Sequence, residues 1–102
     1  MNLPEFDQAA MDRRFLAEIH RLQELGNFSS FTEWAEKMQI MKSTLAQIEK
    51  GRYHCNHKLL YNLARHYPAA DILWVLQGAA ATGRPEPTLL PTRQRGRPVR
   101  TI

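Results

Sequence analysis

The stretch from Trp34 to Gly51, "WAEKMQIMKSTLAQIEKG", holds two short segments of helical period joined by the three residues "QIM". A connection that short obliges two helices to fold against each other. Ala35 falls at their close approach, where a larger side chain would push the pair apart. Ile40 is the apolar residue that plugs the turn into a core, and Leu45 and Ile48 hold the second helix down. Elsewhere no alternating apolar pattern of useful length occurs, so the chain is expected to be all-α.

The rest of the body reads the same way. A first helix is predicted from about Asp7 to Leu25, with Met11, Phe15, Ile19, Leu22 and Leu25 along one side. Gly26 ends it, since glycine accepts a left-handed terminus without steric cost. Ser30 and Glu33 form a capping box for a second helix, about Phe31 to Met38, that buries Trp34, Ala35 and Met38. The third runs from about Lys42 to Lys50, stopped by Gly51, and "RYHC" is a loop. Asn56 caps a fourth helix that ends near His66 and buries Leu59, Leu60 and Leu63. Pro68 breaks the chain, and a fifth helix, "ADILWVLQ", ends at Gly78. The expectation is five helices over residues 7–78, with the two-helix motif at 31–51. A Pro/Arg-rich tail over 79–102, without an amphipathic period, is expected to be disordered.

Charge sharpens that division. Through Gly78 the cations are Arg13, Arg14, Arg21, Lys37, Lys42, Lys50, Arg52, Lys58 and Arg65. They are matched one for one by Glu5, Asp7, Asp12, Glu18, Glu24, Glu33, Glu36, Glu49 and Asp71. The net charge of +4 therefore resides in Arg84, Arg93, Arg95, Arg97 and Arg100 against Glu86 alone. A basic tail on a neutral body points to a polyanion, to which clustered arginines are attracted whatever its sequence. With 102 residues and 43% hydrophobic composition, one small domain can form a packed core. No apolar run approaches the roughly 18 residues of a membrane span. "MNLPEFDQ" has no basic-then-apolar pattern, and Cys55 is the only cysteine, so a reducing cytoplasmic setting is expected.

The open side of the third helix carries Lys42, Ser43, Thr44 and Gln47. Lysine reaches phosphate or guanine, hydroxyls donate or accept, and glutamine pairs with adenine through two hydrogen bonds. On these residues the chain resembles the Cro and lambda-repressor-like (Xre-type) helix-turn-helix family, in a phage-repressor-like subgroup. Ala35, the turn "QIM", the polar "KSTLAQ" and "IEKG" carry the motif. "RFLAEIHRLQELGNFSSFTEWAEKM" and "LLYNLARHYPAADILWVLQG" extend the similarity over about Arg14 to Gly78. The resemblance implies a compact lambda-repressor-like domain that binds double-stranded DNA as a homodimer on a two-fold site, acting as a transcriptional regulator in a bacterium or phage. Three positions depart from the family. Gln39 stands where glycine is common, Met41 where serine or threonine caps the recognition helix, and Phe31 where glutamine braces against phosphate. A missing cap costs about 1 kcal/mol.

Other residues have assigned roles. Arg52 and Lys58 are candidates for phosphate contacts, which position a domain without specifying sequence. Glu49 is expected to pair internally with Arg21 or another first-helix arginine. In the tail, Arg93, Arg95, Gly96, Arg97 and Arg100 contact phosphate or, around "RGRP", insert into an A·T-rich minor groove as an AT-hook does. "HCNH" brings His54, Cys55 and His57 together, but a structural zinc needs four ligands and no second cluster supplies them, so no metal or other cofactor is assigned. The same residues lack the third group of a nucleophilic site, and no enzyme is expected. Trp34, Trp74, Phe15 and Tyr67 are core aromatics, with Trp74 and Leu76 also candidates for a dimer contact. The alternative reading is a protein-interaction module, an antitoxin-like partner that keeps the fold. It is favoured by the neutral body, Met41 and Phe31.

Overall fold

The computed structural model describes residues 6–87, and every regular element among them is a helix. They are α1 (Gln8–Glu24), α2 (Phe31–Met38), α3 (Thr44–Glu49), α4 (His57–His66), α5 (Ile72–Gln77) and α6 (Ala79–Thr82). Four of these begin where a side chain can take a free amide. Asp7 accepts from Ala10 N–H at 3.1 Å, Ser30 from Glu33 at 3.1 Å, Asn56 from Leu59 at 2.9 Å and Asp71 from Trp74 at 3.1 Å. The capping box at α2 closes one residue earlier than expected. The Glu33 carboxylate reaches back to Ser29, which offers both its N–H (3.0 Å) and its hydroxyl (2.7 Å) where Ser30 could give only an amide.

α1 is the central element and packs against both α5 and α3, while α2 packs on α4. Its apolar side, Met11, Phe15, Ile19 and Leu22, is buried together with Trp34 and Met38 from α2, Ile48 from α3, Leu63 from α4 and Trp74 and Val75 from α5. Phe15 meets the Trp34 ring edge-on, with centroids 6.4 Å apart. Each such side chain contributes roughly 1.5–3 kcal/mol when fully buried.

Among the described residues the helices number six, not five, because the packing continues past Gly78. Gly78 adopts φ 76°, and a Cβ there would lie 2.3 Å from the Glu86 carboxylate. The chain can therefore turn sharply, and the three alanines after it form one further helical turn, with Ala79 N–H donating to Glu86 at 2.9 Å. The Arg84 guanidinium then lies over the Trp74 ring, 3.5 Å from its centroid, and the Arg84 carbonyl accepts the Trp74 indole N–H at 3.0 Å. Glu86 pairs with Arg14 at 3.0 Å, and Arg14 also donates to the carbonyls of Val75 and Leu76. This strap covers Trp74, which is buried and so not available as a dimer contact; Leu73 and Leu76 remain exposed.

Beneath the strap lies a fully buried carboxylate. Glu18 on α1 receives Arg21 Nε at 2.9 Å, Arg84 Nη2 at 2.8 Å and the Asp71 backbone N–H at 2.8 Å. Burial by itself would raise its pKa, but the donors from Arg21, Asp71 and Arg84 outweigh it and hold the carboxyl below its ordinary value. A depressed carboxylate stabilises the fold at pH above its unfolded value, and that contribution disappears as pH falls through the folded value. Glu18→Gln is therefore expected to cost about 3 kcal/mol at pH 7, the range for breaking a buried pair. It should also flatten the acid side of a urea-midpoint profile taken from pH 7 down to pH 3. Equal midpoints for the two proteins across that range would remove Glu18 as the tie.

Candidate nucleic-acid interface

The turn between α2 and α3 is closed by Gln39 at φ 60°, ψ 45°. Ile40 N–H donates to Ala35 O at 3.0 Å and Gln39 N–H to Glu36 O at 3.1 Å, the bond pair of a Schellman terminus with its left-handed residue at Gln39. Among the described residues Gln39 is the only non-glycine with positive φ. Glycine is the usual residue at such a left-handed helix terminus, and the region costs an L-residue about 1–2 kcal/mol. The turn accepts that cost because Ala35, almost wholly buried, lets α2 and α3 approach, and Ile40 packs on the core.

α3 is shorter than the expected span from Lys42 to Lys50. Its regular part starts at Thr44, Ser43 makes no side-chain cap bond, and Met41 offers only its carbonyl, which accepts Thr44 N–H at 3.0 Å. Without a polar acceptor at residue 41, Lys42 and Ser43 form a turn in front of the helix instead of its first turn. Both are exposed; Thr44 and Gln47, one helical turn apart on the same side, are half-buried. None of these four side chains takes part in a hydrogen bond within the described residues. Behind them Ile48 is buried and Leu45 packs on the core.

The end of α3 is fixed by its own loop. Arg52 and Tyr53 N–H both donate to Gln47 O, at 2.9 and 3.2 Å, after Gly51 reverses the chain at φ 78°. Arg52 is thereby held, exposed, against the end of α3, and Lys58 is exposed in the first turn of α4. The loop is also tied back to α1 through Asp12. This nearly buried carboxylate accepts Cys55 N–H at 2.8 Å and Gln8 Nε2 at 2.8 Å, and lies 2.7 Å from His54 Nδ1. The role of Asp12 had no local signal in the sequence beyond an acid near the apolar side of a helix.

Several expected placements change. Glu49 is exposed and forms no ion pair among the described residues, because Arg21 is committed to Glu18 and to the Ala69 carbonyl. Phe31 is half-buried between Phe28 (5.7 Å) and His20 (5.1 Å, edge-on), whereas Met41 is 73% exposed. Of the "HCNH" residues, Cys55 is buried, with its thiol pushed up to about 12 by burial and by the Asp12 charge, which leaves it inert as a nucleophile. Among the described residues no group of three or more His, Cys, Asp or Glu is placed to hold a metal ion, and no helix is long and apolar enough to cross a membrane. Arg93, Arg95, Gly96, Arg97 and Arg100 lie outside the described residues.

Beside this surface, an open groove of about 870 Å³ runs between α1 and α3. Leu16, Ala17 and Phe31 line it from one side, Leu45 and Ala46 from the other, and Pro87 from the end of the strap. No family model, curated protein or solved structure matches the chain.

The turn yields a stability test. Gln39→Gly relieves the left-handed strain and is expected to add about 1 kcal/mol, less the extra freedom glycine gives the unfolded chain. Met41→Ser supplies the missing acceptor and is expected to add up to about 1 kcal/mol while extending α3 toward Lys42. Thermal melts of the two single variants and the double would read both effects. A fall in melting temperature for Gln39→Gly would mean that the glutamine side chain makes a contact worth more than its strain.

Proposed function

We propose that the chain is a sequence-specific DNA-binding transcriptional regulator, built as a Cro and lambda-repressor-like helix-turn-helix domain from a bacterium or phage and working in the cytoplasm. The observation that carries this reading is a set of four polar side chains that form no hydrogen bond among the described residues: Lys42 and Ser43 on the turn before α3, and Thr44 and Gln47 on α3 itself, whose opposite side is anchored in the core. A reading helix needs both properties: rigid support, and donors and acceptors not already satisfied within the protein. Gln47 and Lys42 are suited to base edges, Ser43 and Thr44 to either bases or phosphates. Arg52 and Lys58 flank the helix as exposed cations that set its register on the backbone. Tail arginines add salt-dependent affinity in this account, by phosphate attraction or by minor-groove insertion. A homodimer would place two such helices on a two-fold site and raise effective affinity for paired half-sites.

The alternative, a protein-interaction module of antitoxin-like type, draws support from Met41, a large apolar side chain left in the open beside Lys42. It draws less from Phe31, which is half-buried in an aromatic cluster.

Selection from a random duplex library, with the full chain and with a full-length variant carrying Arg93, Arg95, Arg97 and Arg100 as glutamine, separates these readings. A shared two-fold motif in both pools is expected. Gln47→Ala should then relax one position of that motif by about 1–3 kcal/mol. Arg52→Gln or Lys58→Gln should weaken all sequences alike and lower the salt slope by about 1 each. Enrichment of A·T runs with the unmodified tail alone would move the credit to the tail, and no enrichment in either pool at moderate salt would sink the regulator reading. Shortening the chain to Gly78 is not a suitable control, since it removes Arg84 and Glu86 from the body.

A further inference from the structure

The charge of the body balances overall but not locally. Between Lys50 and Ala70 the sequence has no Asp or Glu, and all nine acids of the body lie outside that stretch. Its four cations, Lys50, Arg52, Lys58 and Arg65, are exposed, and none forms an ion pair among the described residues. α4 supplies the surface. Leu59, Leu60 and Leu63 bury one side of it, so Lys58, Tyr61 and Arg65, spaced by three and four residues, share the side turned to solvent. Two tyrosines are held against this helix by their hydroxyls. Tyr61 accepts Arg65 Nη1 at 3.3 Å, and Tyr53, in the loop before, accepts Asn56 Nδ2 at 3.3 Å. Both residues stay open to solvent, Tyr61 64% and Tyr53 43% exposed.

We propose that this side of α4 binds single-stranded nucleic acid, with Tyr61 and Tyr53 as stacking platforms and Arg65 and Lys58 as phosphate contacts. Clustered cations with no acid among them suit a polyanion. The tyrosines decide which one. In a duplex the bases stack on one another and present only their edges in the grooves, so an exposed ring finds no free base face. An unpaired base offers its face, and a ring beside a cation takes it whatever the base. A protein partner fits less well. Tyr61 is the only exposed large hydrophobic residue on α4, too little for the apolar centre of a protein interface. Because both hydroxyls are already bonded, the rings lose little freedom when a base stacks on them. From Asn56 to Arg65 the helix rises about 14 Å, which lets a short strand run along it. The site stands apart from the proposed duplex reading and shares only Lys58 with it.

The test is fluorescence anisotropy of an end-labelled oligothymidylate of about 10 nucleotides, beside a labelled random-sequence duplex. It uses the full-length variant with Arg93, Arg95, Arg97 and Arg100 as glutamine, so that tail attraction does not mask the body. This variant is expected to bind the oligothymidylate. Tyr61→Ala, at an exposed site where alanine favours the helix, should weaken that binding about tenfold and leave duplex binding unchanged. Tyr61→Phe, which keeps the ring, should retain most of the affinity. Arg65→Gln should lower the single-strand salt slope by about 0.7. Gln47→Ala should leave the oligothymidylate result as it was, so the regulator reading can fail while this site stands. No binding of the oligothymidylate, or equal binding by Tyr61→Ala, would overturn the proposal. So would equal losses on single strand and duplex, because α4 would then be part of a duplex backbone contact.

Discussion

The fold depends on one buried carboxylate. Glu18 has no access to solvent and would be intolerable there alone, since an isolated buried charge costs far more than any single packing contact returns. Its three donors come from three places: one turn along α1, the backbone at the start of α5, and the strap beyond α6. Satisfying it fixes α5 and the strap on α1 together. Since α1 is also the surface on which α3 rests, the same charge sets the platform from which Lys42, Thr44 and Gln47 are presented.

A second tie, weaker and nearer the surface, acts on the other end of that platform. Asp12 holds the loop after α3 through the Cys55 amide and His54, and Gln8 from its own helix helps to orient it. α3 is thus constrained at its start by the left-handed turn at Gln39 and at its end by a loop clasped to α1. Its outward side chains, Thr44 and Gln47, form no hydrogen bond among the described residues. That division of labour, backbone fixed and side chains free, is what a surface that exchanges water for a partner's polar groups requires.

Much of this was legible in the sequence, and the reasons for the misses are specific. α1, α2 and α4 were readable to within a residue because periodic apolar positions coincide with Asp7, Ser30 and Asn56 as caps. The start of α3 was read too early because periodicity extends to Lys42 while the capping chemistry does not. α6 and the strap were missed because composition changes at Gly78, and proline and arginine together resemble a solvated tail. What overrides composition there is a set of partners far away in sequence, Arg84 with Glu18 and Glu86 with Arg14, which no local window contains. The same distance explains Glu49. A first-helix arginine such as Arg21 was the expected partner, but a buried acid one turn away on the same helix claims Arg21 first. At the candidate interface, residue types suggested the polar set, while the lack of hydrogen bonds to those side chains among the described residues is a property of the folded chain alone.

The long stretch of chain between Glu18 and its later partners has a consequence for synthesis on the ribosome. The Asp71 amide lies 53 residues downstream, and Arg84 follows it. Until they emerge, α1 carries an acid that its own Arg21 can neutralise only in part. The early helices can form as soon as they are made, because their caps and apolar sides are local. Their final closure must wait for the strap, so the ties that complete the body form only once Asp71 and Arg84 have been made.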